Sequence, residues 1–262
     1  MELGDLMILK LDENSWKDLV PLLKENILEN YFNILGLTSE NTVYKDIYLQ
    51  YSLSREIESI IFLRKSATIK FYARKGFSIK EVRDFLNTIE YTSLIGPRSY
   101  CDLIQDGNIL KKSKKMTELC VLKSKIDLQD YYKNKIISIG LEQVDTVIDI
   151  YSNSFKSFAS KEVLEERIKN KRGRAFGIFK DKKLVSVAFT DFESQNEALI
   201  VGVATRPSYR NRGYGSDLVK YLSSVLQKEE KQVFLEYESE IAGNIYKKLG
   251  FEIIDSVYKY WS

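Results

Sequence analysis

The sequence of 262 residues contains no histidine, and this absence excludes several kinds of catalytic centre at once. Ser-His triads, Cys-His pairs and His-ligated metal sites are removed, so proton transfer must use carboxylates, tyrosine, lysine or water. Only two cysteines occur, Cys101 and Cys120, which cannot build a disulfide framework or a Cys-x-x-Cys metal site. We therefore predict no metal, and we interpret both cysteines as small buried apolar residues.

Long apolar runs and a strong charge bias are also missing. No segment reaches the apolar length of a membrane span, and the first six residues have neither the basic region nor the apolar stretch of a signal peptide. The net charge is only +3, which is too weak to indicate nucleic-acid binding. The sequence therefore predicts a cytoplasmic protein that binds neither membranes nor nucleic acid.

The most informative segment covers residues 203–215, VATRPSYRNRGYG. An apolar run of strand length precedes it at 198–203, and apolar residues at helical spacing follow it. Gly213 and Gly215 let the backbone approach an anion closely, and the first N–H groups of the next helix point at the same place. The segment therefore predicts a phosphate-binding turn between a strand and a helix.

Spacing separates three classes of glycine-rich phosphate loop. A P-loop requires Lys and then Ser or Thr after its last glycine, whereas Ser216 and Asp217 follow Gly215 here. The dinucleotide fingerprint requires three glycines, and Arg210 occupies the first of those positions. The remaining pattern, Arg-x-x-Gly-x-Gly, resembles the acyl-CoA pyrophosphate loop of the GNAT superfamily of N-acetyltransferases.

A second segment strengthens this resemblance. Residues 242–251, AGNIYKKLGF, are similar to the second CoA-contacting segment of the superfamily, a helix that carries a Tyr and ends at Gly-Phe before a strand. A strand predicted at 232–237 lies between the two motifs, as in the superfamily. The other elements of a GNAT-like domain are predicted upstream, as a strand at 135–139, a helix at 143–151, and strands at 175–180 and 184–192.

The resemblance implies acetyl-CoA as the co-substrate and assigns roles to individual residues. Backbone groups of Val203 and Thr205 would pair with the pantetheine amides, and the N–H near Ala204 would hold the developing oxyanion. Asn244 and Tyr246 of the second motif would add contacts to the cofactor. The predicted contacts of the pyrophosphate turn are Arg210, Asn211, Arg212, Gly213, Tyr214, Gly215 and Ser216.

The implied reaction is direct attack of an amine on the acetyl thioester in a ternary complex. Tyr246 is the candidate acid for the leaving thiolate, because a phenol with a pKa of about 10 stays protonated at neutral pH. The alternative for Tyr246 is a packing role. The acceptor is predicted to be a small-molecule or peptide amine, and a homodimer is left open.

The general base has several candidates. Many relatives carry a Glu where this chain has Leu199 and an Asn where it has Ser239. The carboxylates on candidate core strands are Glu197, Glu236 and Glu238, and relay through water is the alternative. Two functions of other classes also stay open, namely an acyl-CoA-binding sensor without turnover and an interaction protein whose active part is the N-terminal region.

The N-terminal region carries no motif of comparable specificity. Its pattern predicts helices near 19–28 and 79–86, paired strands at 57–63 and 67–72, and a further strand within 109–122. Residues 72–77, YARKGF, repeat the Tyr-x-x-x-Gly-Phe spacing of the second motif, although Tyr72 lies in a strand-like run.

These patterns predict an α/β protein of two domains. Residues 1–130 would form a smaller N-terminal α/β lobe, as in some two-lobed bacterial GNAT proteins, and a degenerate GNAT-like half is the alternative for this lobe. The resemblance implies that residues 131–262 form a GNAT acetyltransferase domain, a mixed sheet flanked by helices. At 262 residues with 44% hydrophobic content, the chain is long enough for two such cores.

Overall fold

The computed structural model describes residues 8–38, 43–105, 110–126, 134–156, 158–169, 173–191 and 193–262. The chain divides into two compact units. Unit 1 takes in Met1–Glu118 and Asp255–Ser262, and unit 2 takes in Leu119–Ile254. The boundary predicted between residues 130 and 131 lies outside the described residues and stays a prediction.

The order of elements in the first half of the chain is repeated in the second half. The first series is β1 (Ile8–Lys10), α1 (Val20–Leu23), α2 (Ile27–Thr38), β2 (Tyr44–Tyr51), β3 (Ile57–Arg64), β4 (Thr68–Ala73), α3 (Ile79–Leu86), β5 (Ser93–Pro97), α4 (Arg98–Ile104) and β6 (Lys112–Leu122). The second series is β7 (Ile136–Ser138), α5 (Val144–Ser152), α6 (Lys161–Lys169), β8 (Ala175–Lys180), β9 (Lys183–Asp191), β10 (Glu197–Thr205), α7 (Tyr214–Lys228), β11 (Gln232–Tyr237), α8 (Glu240–Lys248) and β12 (Phe251–Trp261). Short 3₁₀ segments lie at Glu13–Leu19, Lys24–Asn26, Leu141–Gln143 and Pro207–Tyr209.

Unit 1 contains a mixed sheet in the order β1-β2-β3-β4-β5-β12. Strands β4 and β5 are parallel, and the other pairs in this set are antiparallel. The last strand in the order comes from the end of the chain, since Val257 pairs with Pro97 and Trp261 pairs with Ser93. Its Tyr260 is buried in the apolar core of unit 1.

Most of the elements predicted in the N-terminal region are present, with one difference. The predicted helix at 79–86 and the paired strands β3 and β4 are confirmed, and Tyr72 lies in a strand as its neighbours suggest. The helix predicted at 19–28 is instead interrupted by a 3₁₀ segment. The interruption is stabilised by Asn26, whose side-chain oxygen accepts the N–H of Glu29 at 3.3 Å and so caps the start of α2.

Unit 2 contains strands in the order β7-β8-β9-β10-β11. The first four are antiparallel neighbours, whereas β10 and β11 are parallel and are joined by α7. Helix α7 forms because Leu218, Val219, Leu222 and Leu226 recur on one face, and all four are fully buried. The strands predicted at 175–180 and 232–237 are confirmed residue for residue.

Two apolar layers cover opposite faces of the unit 2 strands. Helices α7 and α8 lie over one layer, and α5 and α6 lie over the other. Cys120 of β6 belongs to the α7 layer, and Cys101 is buried in unit 1, where burial raises the pKa of its thiol. The prediction that both cysteines are buried apolar residues is confirmed. None of the helices in the described part of the chain is long and apolar enough to cross a membrane.

Candidate active site

Strands β10 and β11 run side by side over only part of their length. They are parallel partners as far as Ile200 and Leu235. Beyond that point β10 continues to Thr205 and β11 to Tyr237, and no pairing joins these described residues. The strands therefore open into a gap, and backbone groups along its walls face the gap instead of a neighbouring strand.

A bulge lies in β10 beside this gap. The register of β10 against β9 shifts between Val201 and Ala204, and Gly202 within the shift has a φ of +60°. A Cβ atom on Gly202 would lie 2.0 Å from the hydroxyl oxygen of Tyr151, so only glycine fits there. The buried Tyr151 of α5 consequently places its hydroxyl against the backbone of β10.

The register also fixes the direction in which the backbone of β10 points. The N–H of Arg206 donates to a carbonyl of β9 at 2.9 Å, and the Ser186 hydroxyl donates to the carbonyl of Ala204 at 3.1 Å. Successive residues of a strand point their backbone groups to opposite sides. The backbone of Ala204 therefore faces β9, whereas that of Val203 and Thr205 faces the gap.

The turn after β10 leads into helix α7. Gly213 precedes α7 with a φ of +83°, and a Cβ atom there would meet no heavy atom within 4 Å. The N–H of Asp217 donates to the carbonyl of Gly213, so the N–H groups before it in the first turn have no acceptor inside the helix. These N–H groups and the positive end of the helix dipole lie beside open space, which suits an anion.

The predicted phosphate turn lies against the end of β10. A Cβ atom on Gly215 would be 3.6 Å from the hydroxyl oxygen of Thr205 and 3.7 Å from a methyl carbon of Val203. Tyr214 is buried, Ser216 is half-buried, and Asn211 is exposed with a left-handed φ of +61°. The structure thus brings the two predicted parts of the cofactor site together.

The two arginines of the turn are exposed but differ in their contacts. Arg210 donates from Nε to the carbonyl of Thr205 at 3.0 Å and from Nη2 to the carbonyl of Asn153 at 3.2 Å. Arg212 stacks over the ring of Tyr209, with its central carbon 5.4 Å from the ring centre. Arg210 therefore connects the loop after α5 to the end of β10, which is a structural contact that the sequence did not predict.

Helix α8 directs Tyr246 inward and Asn244 outward. The ring centre of Tyr246 lies 5.7 Å from that of Tyr237 and 6.0 Å from that of Phe251. Gly243, one turn earlier, allows Tyr237 to approach, since a Cβ atom there would lie 2.5 Å from the Tyr237 ring. The structure therefore places Asn244 on the surface, apart from this aromatic group.

Burial raises the pKa of Tyr246 to about 12. The phenol therefore stays protonated over the whole physiological range, and the raised pKa makes it a weaker acid than an exposed tyrosine. Two apolar residues near Tyr246 in the sequence are exposed although Tyr246 is buried, since Ile241 is 73% exposed and Ile245 is 36% exposed. Leu249 lies in the same buried layer as Tyr246. The position of Tyr246 therefore fits both a packing role and a role as proton donor.

The candidate carboxylates lie at different distances from the turn. Glu197 is the first residue of β10, so about 26 Å of extended strand separates it from Thr205 at the turn. Burial raises the pKa of the Glu197 carboxyl. Glu238 is exposed beyond the end of β11. The structure does not bring Glu197 to the end of β10 that carries the other predicted residues.

Glu236 lies where the gap opens. It follows Leu235, the last residue of β11 that pairs with β10. Leu235 and Tyr237 face the α7 layer, so the alternation of the strand directs Glu236 to the opposite face. That face carries Tyr151. Tyr151 is not among the residues predicted from the sequence, where its only signal is Gly202, an isolated glycine in an apolar strand that indicates a bulge.

Residues 144–251 match the model of the Acetyltransferase (GNAT) family. Unit 2 contains a GNAT domain. The matched range runs from the start of α5 to the first residue of β12, and it includes the gap, the turn and Tyr246. No curated protein gives a significant match to the chain.

The fold of the whole chain, including this GNAT domain, is similar to the folds of several solved structures. A GNAT-family acetyltransferase from Colwellia psychrerythraea has a TM-score of 0.72 and 13% identity, covering 97% of this chain and 99% of that one. A tandem GNAT protein from the clavulanic acid biosynthesis pathway has a TM-score of 0.60 and 14% identity, covering 97% and 98%. A GCN5-related N-acetyltransferase from Sphaerobacter thermophilus has a TM-score of 0.61 and 11% identity, covering 98% and 96%.

A cavity of about 500 Å³ lies in unit 1, outside the GNAT domain. It is lined by parts of β5, β6 and β12 that include Lys114, Lys259 and Trp261. None of the predicted site residues lines it. The candidate active site of the GNAT domain is thus defined by the strand gap and the turn, and not by this cavity.

Proposed function

We propose that the GNAT domain transfers an acetyl group from acetyl-CoA to a primary amine. The observation that carries this proposal is the gap between β10 and β11, which leads directly into the turn at Gly213 and the start of α7. An extended chain that bears amides fits the gap, and a pyrophosphate fits the turn. Acyl-CoA molecules combine both chemical features.

The backbone of this chain would hold the cofactor. Val203 and the N–H of Thr205 would bind the pantetheine amides on the gap side, since the carbonyl of Thr205 already accepts from Arg210. The N–H groups from Arg212 to Ser216 would bind the pyrophosphate, and each hydrogen bond to a charged group contributes roughly 1.5–3 kcal/mol. The open space around Gly213 supports this assignment, because a phosphate needs that room.

A backbone N–H on the gap side would stabilise the negative charge that develops on the carbonyl oxygen. Acetyl-CoA, when bound, supplies the activated thioester. The register of β10 favours the N–H of Val203 or Thr205 for this role over that of Ala204, because Ala204 faces β9. The proposed N–H donor is therefore a direct neighbour of Ala204, near which the sequence alone predicts it.

Proton transfer would use Tyr246 and Glu236. The Tyr246 hydroxyl would donate its proton to the departing thiolate. Burial raises the pKa of Tyr246, so the phenol would release this proton only as negative charge builds up on the sulfur. Glu236 would accept a proton from the attacking amine, directly or through water. We favour Glu236 over Glu197 because geometry is the first requirement for a general base, and Glu236 lies at the opening of the gap.

Two measurements test this function. Calorimetry should detect acetyl-CoA binding to the full chain, and a thiol reagent should detect CoA released when primary amines are added. The reagent should meet little background from the protein, since Cys101 and Cys120 are both buried. Binding without release for every amine would favour the alternative, a non-catalytic acyl-CoA sensor. Absence of binding would remove both functions.

A further inference from the structure

The loop that follows α5 carries exposed aromatic side chains. Phe155 is 36% exposed and Phe158 is 38% exposed, and they are the exposed phenylalanines among the side chains that the structure describes. Their rings pack on Tyr151, with centre-to-centre distances of 5.2 and 5.8 Å and angles between the ring planes of 71° and 66°. The three rings form one group, which we call the aromatic cluster, with Tyr151 buried beneath two partly exposed rings.

Two contacts place the aromatic cluster at the candidate active site. The Tyr151 hydroxyl lies against Gly202, one residue before Val203, whose backbone faces the gap. The guanidinium of Arg210 donates both to the carbonyl of Thr205 and to the Ser154 hydroxyl, at 3.0 and 3.3 Å. The residue directly before Phe155 is therefore fixed to the end of β10.

The charges near the aromatic cluster do not favour a polycationic acceptor. Asp149 of α5 pairs with Arg206 at 2.5 Å, and Asp145 pairs with Lys161 at 2.6 Å. Each carboxylate of this helix thus has a cationic partner, although both aspartate side chains stay largely exposed. Arg210 adds a positive charge between the cluster and the turn. With both aspartates of α5 paired and Arg210 nearby, the carboxylate proposed to meet the amine is Glu236 on the same face, which suits a single ammonium group. The exposed aromatic rings beside it bind apolar groups.

We propose that the acceptor is a monoamine with an aromatic or large aliphatic group, and that this group packs on Phe155 and Phe158. The proposal rests on the proposed function and adds the substrate class to it. The amine would enter on the Tyr151 face of the strands, which is also the face of Glu236. Phe155 and Phe158 are in this view specificity-determining residues, and they take no part in proton transfer.

The test compares phenethylamine with spermidine in the CoA-release assay. We expect kcat/KM for phenethylamine to exceed that for spermidine by at least tenfold. The double variant Phe155→Ala/Phe158→Ala should lower kcat/KM for phenethylamine at least tenfold, mainly through KM, and should leave the Kd for acetyl-CoA unchanged. Phe155→Leu/Phe158→Leu should retain most of the wild-type value, because it keeps an apolar surface.

The control is Ile253→Ala, which removes a similarly exposed apolar side chain from β12. This substitution should change neither kcat nor KM for phenethylamine. If the wild-type protein binds acetyl-CoA but prefers spermidine, transfers to neither amine, or is unaffected by the double variant, the acceptor assignment is overturned while the cofactor site stands. If the wild-type protein does not bind acetyl-CoA, the proposed function itself fails.

Discussion

Single residues of the candidate site have environments that suit different tasks. Tyr246 is enclosed by apolar and aromatic neighbours, which keep its phenol neutral. Glu236 lies at the opening of the gap, and Glu197 lies at the far end of the same strand pair. Substitutions that change one functional atom can therefore separate chemistry from folding.

For Tyr246→Phe we expect a fall in kcat with little change in the Kd for acetyl-CoA. General acid catalysis contributes about 10²–10⁴-fold, so kcat should fall within that range. Kd measured by calorimetry should stay within about threefold. A thermal melt is the control, because the loss of a buried hydroxyl can destabilise a fold by roughly 1 kcal/mol. Wild-type kcat in the variant would show that the thiolate leaves without this acid.

Glu236→Gln and Glu197→Gln form a matched pair of substitutions. We expect Glu236→Gln to lower kcat by about 10²-fold or more, since it removes the proposed base, and Glu197→Gln to leave kcat unchanged. Steady-state kinetics with one accepted amine will decide between them. The reverse result would move the base to Glu197.

The raised pKa of Glu197 also predicts an effect on stability. A carboxyl whose pKa is higher in the folded state contributes stability below its unfolded pKa of about 4.5 and loses that contribution as pH rises. The substitution Glu197→Gln should therefore raise the free energy of unfolding, relative to wild type, by more at pH 7 than at pH 4. Urea denaturation at the two pH values measures the difference. An identical difference at both pH values would show that burial does not govern this carboxyl.

At the scale of elements, two glycines with positive φ shape the site. Gly213 lets the chain turn into α7 beside open space, and Gly202 forms the bulge that Tyr151 fills. The first position requires an unusual backbone conformation only. The second position requires that conformation and also the absence of a Cβ atom.

We expect Gly213→Glu to abolish acetyl-CoA binding while the protein still folds. The carboxylate would occupy the open space beside the turn and repel the phosphate. A non-glycine residue in this left-handed backbone conformation costs only about 1–2 kcal/mol in stability, so the protein should still fold. Gly213→Asn is the matched control, because Asn tolerates this conformation and adds no charge. The readout is the rise in melting temperature on addition of acetyl-CoA. If acetyl-CoA raises the melting temperature of Gly213→Glu as much as that of wild type, the pyrophosphate does not bind at this turn.

We expect Gly202→Ala to destabilise the protein more than Gly76→Ala does. Both glycines have positive φ, but a Cβ atom on Gly76 would meet no heavy atom within 4 Å, whereas one on Gly202 would overlap the Tyr151 hydroxyl. In Gly202→Ala the overlap should lower the free energy of unfolding by about 1–3 kcal/mol more than the backbone strain alone does. Chemical denaturation compares the two variants, and equal costs would argue against close packing at the bulge.

Local sequence patterns predicted most of the helices and strands of the GNAT domain. The features that these patterns did not predict depend on contacts between residues far apart in the sequence. The turn and the strand at 232–237 depend on neighbouring residues, so spacing and alternation were sufficient. The fit of Tyr151 against Gly202 joins residues about fifty positions apart, and no pattern in one sequence encodes it. The direction of the Ala204 backbone likewise depends on its register with β9.

At the scale of the whole molecule, the repeated order of elements raises the question of a second cofactor site. In the first series, β4 and α3 are joined by residues 74–78, RKGFS, which lack the Arg-x-x-Gly-x-Gly pattern. Glu81 also lies in the first turn of α3 and accepts a hydrogen bond from Gln50 at 2.7 Å. Because Asp217 likewise lies in the first turn of α7, the carboxylate does not distinguish the two helices, and the difference between the two loops is the missing Arg-x-x-Gly-x-Gly pattern.

We therefore expect calorimetry to find one acetyl-CoA per chain. The measurement should use the full chain, because Cys120 and Leu122 of β6 belong to the core of unit 2 and a shortened protein beginning near residue 127 would lose them. A stoichiometry of two equivalent sites would show that both series of elements bind the cofactor.

The membership of Asp255–Ser262 in unit 1 has a consequence for the order of events during synthesis. Residues 119–254 are translated between the two parts of unit 1, which takes about 7–27 s at about 5–20 residues per second. Until then β5 lacks the partner that Val257–Trp261 provides, and an unpaired strand edge invites association with other chains. The unit that leaves the ribosome first is thus the last to be completed, and we expect the edge of β5 to be open to other chains for that interval.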